Sequence, residues 1–197
     1  MTWIRRLLTF ELRLLRALVL VAFRRVDGVA PGDVVLPYAR AALPFGALLT
    51  GLSVVELVMV ELIVPWPTVR AVLLLLGAWG LFVVAGLLAL EWTHPHVARS
   101  EGLLVRHGGL VSVDVPWEAV VDVHRRTRAE HSTWVIEDGA LYLPVAGATA
   151  LDLVLAEPLP VAAGRRDGAV TRISIAVDDP VTALAALRSR ATTGGGC

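Results

Sequence analysis

Residues 43–64 read LPFGALLTGLSVVELVMVELIV, and residues 71–90 read AVLLLLGAWGLFVVAGLLAL. The first run carries only Glu56 and Glu61 as charges, and the second carries none. A helix rises about 1.5 Å per residue, so about 20 such residues cover the roughly 30 Å hydrocarbon core of a bilayer. Each run is therefore a transmembrane helix candidate. Only Pro65, Trp66, Pro67, Thr68, Val69 and Arg70 separate them, which predicts a tight antiparallel hairpin with helices over 43–64 and 69–90 in a unit spanning 43–92. Two buried core helices are the alternative, and the uncharged second run argues against it.

The rest of the composition agrees. Of 197 residues, 56% are hydrophobic and 18% charged, with a mean hydropathy of +0.68; soluble domains carry about 45–50% and about 25%. Disorder is excluded, and an ordinary soluble enzyme fits poorly. Eighteen basic and 18 acidic residues balance, which speaks against a polybasic nucleic-acid binder. Every basic residue is arginine, and lysine, asparagine and glutamine are absent. That bias is genomic in character, as in a GC-rich bacterium, so arginine is not read as selected for phosphate recognition. The single cysteine, Cys197, excludes an intrachain disulfide and a cysteine zinc site.

Arginines also set orientation. Arg5, Arg6, Arg13, Arg16, Arg24, Arg25 and Arg40 precede the hairpin, Arg99 and Arg106 follow it, and its tip holds only Arg70. The positive-inside rule then places both termini in the cytoplasm of a bacterial inner membrane. Within residues 1–26, Trp3, Ile4, Leu7, Phe10, Leu14, Leu15, Leu18 and Val21 share one helical face, and most of the arginines share the other. This predicts an interfacial amphipathic helix with Arg5, Arg6, Arg13 and Arg16 toward lipid headgroups. A helix packed on a partner is the alternative. Glu11 falls on the apolar face, either snorkelling or accepting a hydrogen bond. Pro31, Gly32 and Pro37 mark residues 27–42 as a linker.

After Pro95 short alternating runs replace helical ones. Leu103–Val105, Val111–Val115, Val120–Val123, Thr133–Glu137, Ala140–Val145, Ala150–Leu155 and Val170–Val177 read as seven strands, with Asp138-Gly139 as a hairpin turn. Asp179 and Pro180 then open an amphipathic helix carrying Val181, Leu184 and Leu187. The expected fold class is an α+β membrane protein. Its 97–190 domain is a strongly bent seven-stranded antiparallel sheet or barrel closed by a C-terminal helix, and a flexible tail follows over 191–197.

The stretches GLLVRHGGLVSVDVPWEAVVDV (102–123) and VTRISIAVDDPVTALAALR (170–188) carry a family resemblance. Two strands, a Pro-Trp turn, a third strand, and later a last strand with its closing helix resemble bacterial pleckstrin-homology-like (PH-like) domains of the actinobacterial membrane type. Members commonly follow a two-helix membrane hairpin, and the resemblance covers about residues 40–190. It implies a membrane-tethered interaction or assembly module; phosphoinositide binding does not follow from it.

Residues of chemical interest are few. Glu56, Glu61 and Arg70 are intramembrane polar candidates, with Glu61 and Arg70 placed to form an ion pair near the hairpin tip. Glu56 lies deeper, with no basic residue at its level on the second helix. Arg125, Arg126 and Arg128 form the clearest basic cluster of a domain holding 10 arginines against 12 acids, with Arg165 and Arg166 in a later loop. Together with Trp117 they are the interaction candidates, although solvated strand ends and a core tryptophan are the plainer readings. Glu91, His94 and His96 invite a metal, but Pro95 breaks the helix that would align them. No nucleophile elbow or phosphate loop is present, so no catalytic residue, metal or cofactor is expected. The expected function is a non-enzymatic module that meets a protein partner or another copy, with the lipid bilayer as its other partner. The alternatives are a small transporter or channel subunit using Glu56 and Glu61, and a sensor of anionic lipid.

Overall fold

The computed structural model describes residues 2–109, 111–129, 131–163 and 166–194; Arg165, Cys197 and the side chains of Arg6 and Arg166 lie outside this description. The chain divides into two units, residues 1–25 with 42–93 and residues 26–41 with 94–197.

The first unit is helical. α1 (Thr2–Ala22), α2 (Leu43–Ile63) and α3 (Pro67–Thr93) are its elements. α2 and α3 are long and apolar enough to cross a membrane, and only 6% of the most apolar window of each is buried inside the protein. A soluble core helix of this composition is mostly buried, so these faces need lipid or another protein to cover them. The two helices run antiparallel. Gly46 faces Leu88 and Gly77 faces Leu57, and a Cβ at either glycine would collide with the opposing leucine. Small residues thus set how closely the backbones approach.

α1 has a protein neighbour. Leu14 and Ala17 are fully buried with Ala89 and Leu90, flanked by Phe10, Leu18, Phe82 and Val83. Gly86 admits the Leu14 side chain, and the Trp79 indole donates to Glu11 Oε1 at 3.0 Å. Glu11 meets Trp79 and Leu14 meets Gly86, so α1 runs parallel to α3. Phe10, Leu14 and Leu18 of the expected apolar face therefore meet α3, while Leu7, Leu15 and Val21 of that face stay exposed, and the N-terminal end of α1 points toward the hairpin tip. The expectation of a surface-lying helix rested on amphipathicity alone, which cannot tell a lipid face from a packing face.

The second unit holds nine strands among the described residues. β1 (Val34–Leu36), β2 (His96–Ala98), β3 (Gly102–His107) and β4 (Val111–Pro116) form an antiparallel sheet in that order. β5 (Val120–Arg128), β6 (Val135–Glu137), β7 (Ala140–Leu143), β8 (Thr149–Ala163) and β9 (Arg166–Ile175) form a second sheet ordered β5-β8-β9-β7-β6. α4 (Pro180–Gly194) follows. One hydrophobic core takes Leu103, Val113 and Val115 from the first sheet, Leu151, Leu153 and Ile173 from the second, and Leu187 from α4.

Two sheets replace the expected single seven-stranded one, and no closed barrel forms among the described residues. Three causes are visible. β1 and β2 are three residues each, bounded by Pro37 and Pro95, too short to show alternation, and β1 lies in the segment expected to be linker. β7 pairs with β9 in parallel and is buried on both faces, so its partner cannot be read from its pattern. β8 continues through Pro158 and Pro160, residues that signal a loop, because its ladder is irregular between Val154 and Leu159. The hairpin expectation at Asp138-Gly139 matches the pairing of Glu137 with Ala140, and both turn residues have positive φ (50° and 67°).

Candidate functional site

Register in the five-stranded sheet places four polar residues side by side. His124 pairs with Asp152, Asp152 with Ser174, and Ser174 with Tyr142, so the row crosses β5, β8, β9 and β7. Leu151, Leu153, Ile173 and Ile175 on the alternate positions enter the core. Except at His124, this polar row is nonetheless buried. Asp152 and Ser174 are 0% exposed, and the Ser174 hydroxyl donates to Asp152 Oδ1 at 2.6 Å. Arg128 reaches back to donate to Asp152 Oδ2 at 3.3 Å, and His124 Nε2 stands 3.8 Å from the same oxygen.

Tyr142 closes the row. Its hydroxyl accepts from Arg172 at 2.9 Å, and the guanidinium groups of Arg128 and Arg172 both lie 5.9 Å from its ring centroid. The His131 ring lies tilted against it with centroids 4.5 Å apart, and its Nε2 is 3.8 Å from Glu137. Serine, histidine and aspartate are all present, but in an order that does not activate a nucleophile. Ser174 donates to the carboxylate, and the histidine touches the carboxylate instead of the serine, whereas activation needs the base on the hydroxyl. The row fixes strand register: a one-residue slip would drive Asp152 into the core.

A second polar cluster belongs to the four-stranded sheet. His96 is 1% exposed, yet both ring nitrogens are satisfied. Nε2 donates to the Ala176 carbonyl at 3.0 Å, and Nδ1 accepts from the Arg106 backbone N–H at 3.1 Å. This pattern requires the neutral ring. Burial pushes its pKa down to about 3, against the hydrogen bond to Ala176, with smaller lowering from His107 and Arg106. The Tyr38 ring lies tilted against it at 4.7 Å, and its hydroxyl donates to the His94 carbonyl at 3.2 Å and accepts from the Gly108 N–H at 2.9 Å. His107, also lowered by burial, lies 6.2 Å from the Tyr38 ring. Arg106 donates to the Asp27 carbonyl at 2.7 Å, and His94 Nε2 is 3.5 Å from Asp27 Oδ2. No group of three potential metal ligands converges among the described residues.

The other candidates divide between core and surface. Trp117 is buried in the core, with its indole donating to the Arg99 carbonyl at 3.0 Å. Arg125 and Arg126 are exposed on β5. Arg128 is not part of an exposed cluster: its side chain is 11% exposed and is bound to Asp152. No local pattern signals this contact, because the carboxylate lies 24 residues away on β8. A hollow of about 360 Å³ at the base of the β3–β4 hairpin is lined by Arg99, Glu101, Asp114 and Pro116, and Arg99 and Asp114 pair with each other at 3.6 Å.

In the helical unit, Glu61 and Arg70 stand 3.6 Å apart. Glu56 is exposed on α2. A groove of about 180 Å³ runs between α2 and α3, lined by Phe45, Gly46, Leu49, Leu87, Leu88 and Glu91, and Glu91 Oε2 is buried there without a hydrogen-bond partner. Arg5, Arg13 and Arg16 are exposed on α1. An arginine facing lipid at mid-bilayer costs roughly 2.5–3.5 kcal/mol on the insertion scale. No protein-family model matches the chain, and no curated protein or solved structure is similar to it.

Proposed function

We propose that this chain is a membrane-anchored, non-enzymatic assembly module. The α2–α3 hairpin holds it in a bacterial inner membrane, and the β unit, of PH-like kind, meets a protein partner or a second copy in the cytoplasm. The observation that carries this reading is the exposure of α2 and α3 along nearly their whole apolar length. The order of charge along the sequence supports the orientation, with Arg24, Arg25 and Arg40 before the hairpin and Arg99 and Arg106 after it, against Arg70 at its tip. In this orientation α1 enters the bilayer from the cytoplasmic side, alongside α3.

The β unit supports a binding role over a chemical one. Its buried polar groups are largely consumed by one another, and what it offers outward is the β5 surface, with Arg125, Arg126 and a Val121 that is 65% exposed. The PH-like reading rests on the strand–strand–Pro-Trp–strand opening and on the last strand with its helix. The full chain extracted from its own membranes in mild detergent tests the proposal by native mass and composition. A fixed stoichiometry with a second protein or with itself supports it. A bare monomer under every gentle extraction contradicts it.

A further inference from the structure

Three contacts give the helical unit a depth scale. Leu14 of α1 lies against Gly86 of α3, so Arg5, nine residues earlier, is level with Gly77. Gly77 faces Leu57 of α2, so Arg5 stands at the depth of Leu57 and its neighbour Glu56. By the same count Arg16 is level with Leu88, which faces Gly46 beside Phe45 and within one turn of Glu91. At about 100° per residue, Arg5, Leu12 and Arg16 fall within about 40° of one another, on the side of α1 opposite Leu14. On α2, Glu56, Leu52 and Phe45 form a similar stripe, running the other way along the bilayer. Arg5 and Arg16 are separated by about 16.5 Å of helix, as are Glu56 and Phe45. Leu12, Leu52 and Phe45 are all more than 60% exposed.

We propose that the α2–α3 groove receives α1 of a second copy of this chain, with Arg5 of one copy against Glu56 of the next and Arg16 against Phe45 and Glu91. The argument is complementarity at matched depth: the two arginines of the α1 stripe meet a carboxylate near each of their levels, Glu56 on α2 and Glu91 on α3, within the bilayer where such pairing is favoured. The groove places Glu91, with its unpartnered carboxylate oxygen, at the end that Arg16 reaches. The inference rests on the membrane-spanning reading, and it makes a second copy a neighbour of the chain within the membrane.

The test uses the full chain in its own membranes with Cys197→Ser. Two differently tagged copies, one carrying Leu12→Cys and the other Leu52→Cys, leave every charge in place. The expected result is a mixed-tag disulfide dimer on mild oxidation, absent when Leu12→Cys is paired with Leu75→Cys near the hairpin tip. In parallel, Arg5→Glu and Glu56→Arg each reduce the native mass to that of a monomer, and the two changes in one chain restore it. Absence of the mixed dimer, or a double charge exchange no better than either single change, overturns the proposal. Alkaline extraction of the same membranes reports anchoring separately: chain retained in the membrane without cross-linking defeats the pairing alone, whereas chain released defeats the membrane reading itself.

Discussion

His96 donates through Nε2 to the carbonyl of Ala176, 80 residues along the chain, while its other ring nitrogen accepts from the Arg106 backbone. One neutral imidazole therefore joins β2, β3 and the segment after β9, and it cannot accept a proton without losing the Arg106 bond.

Stability should consequently fall with acid. The folded pKa of His96 lies near 3, below its ordinary 6.5. Above pH 6.5 both folded and unfolded states are neutral and the contribution is fully present. Below it the unfolded chain binds a proton that the folded chain refuses, costing about 1.4 kcal/mol per pH unit until the folded value is reached. His107, lowered by burial, acts in the same direction. Urea unfolding of the full chain in detergent should lose at least about 1 kcal/mol between pH 7.5 and 5.5. A flat profile across that window contradicts the assignment.

The Asp152 carboxylate should be among the most sensitive single positions. Asp152→Ala removes the acceptor of Ser174 and leaves the Arg128 charge buried without it, a change expected to cost about 3–5 kcal/mol. Asp152→Leu combined with Arg128→Met should recover much of that loss, because an apolar pair leaves neither charge stranded. Thermal unfolding of both variants checks the prediction; equal destabilisation by the single and double changes speaks against the pair.

How much of this was legible in sequence depends on the range of the interactions. The two long apolar helices were readable to within three residues because a run of about 20 apolar residues has few competing explanations. The Asp138-Gly139 turn and the Asp179 cap were local. Asp179 indeed accepts from the backbone N–H groups of Val181 and Thr182, at 3.1 Å each. What could not be read was which strand lies beside which. The row His124–Asp152–Ser174–Tyr142 assembles from strands far apart in the chain, so Arg128 looked like a surface charge. The face of α1 was visible, but not whether lipid or α3 covers it.

Gly86 should hold α1 in place. A Cβ there would collide with the Leu14 side chain, so Gly86→Leu is expected to detach α1 from α3 while leaving the β unit folded. Limited trypsin digestion in detergent should then cleave at Arg13 and Arg16 much faster than in the parent chain, with the β unit's thermal transition unchanged. Unchanged cleavage argues that the packing is not held there.

The exposed arginines should matter for assembly and not for folding. Arg125→Ala with Arg126→Ala is expected to alter stability by no more than about 0.5 kcal/mol, as surface changes usually do. It should also weaken whatever complex the full chain forms on gentle extraction, by a margin that narrows as salt rises. Retention of the complex at full strength would move the interaction surface elsewhere on the β unit.

The most direct test of the account is sidedness in intact cells. In a Cys197→Ser background, a single cysteine at the hairpin tip (Trp66→Cys) should react with a membrane-impermeant maleimide added outside. One on β5 (Arg126→Cys) should react only after permeabilisation. Labelling of both positions from outside, or of neither until the cells are opened, would contradict a hairpin that crosses the membrane and holds the β unit in the cytoplasm.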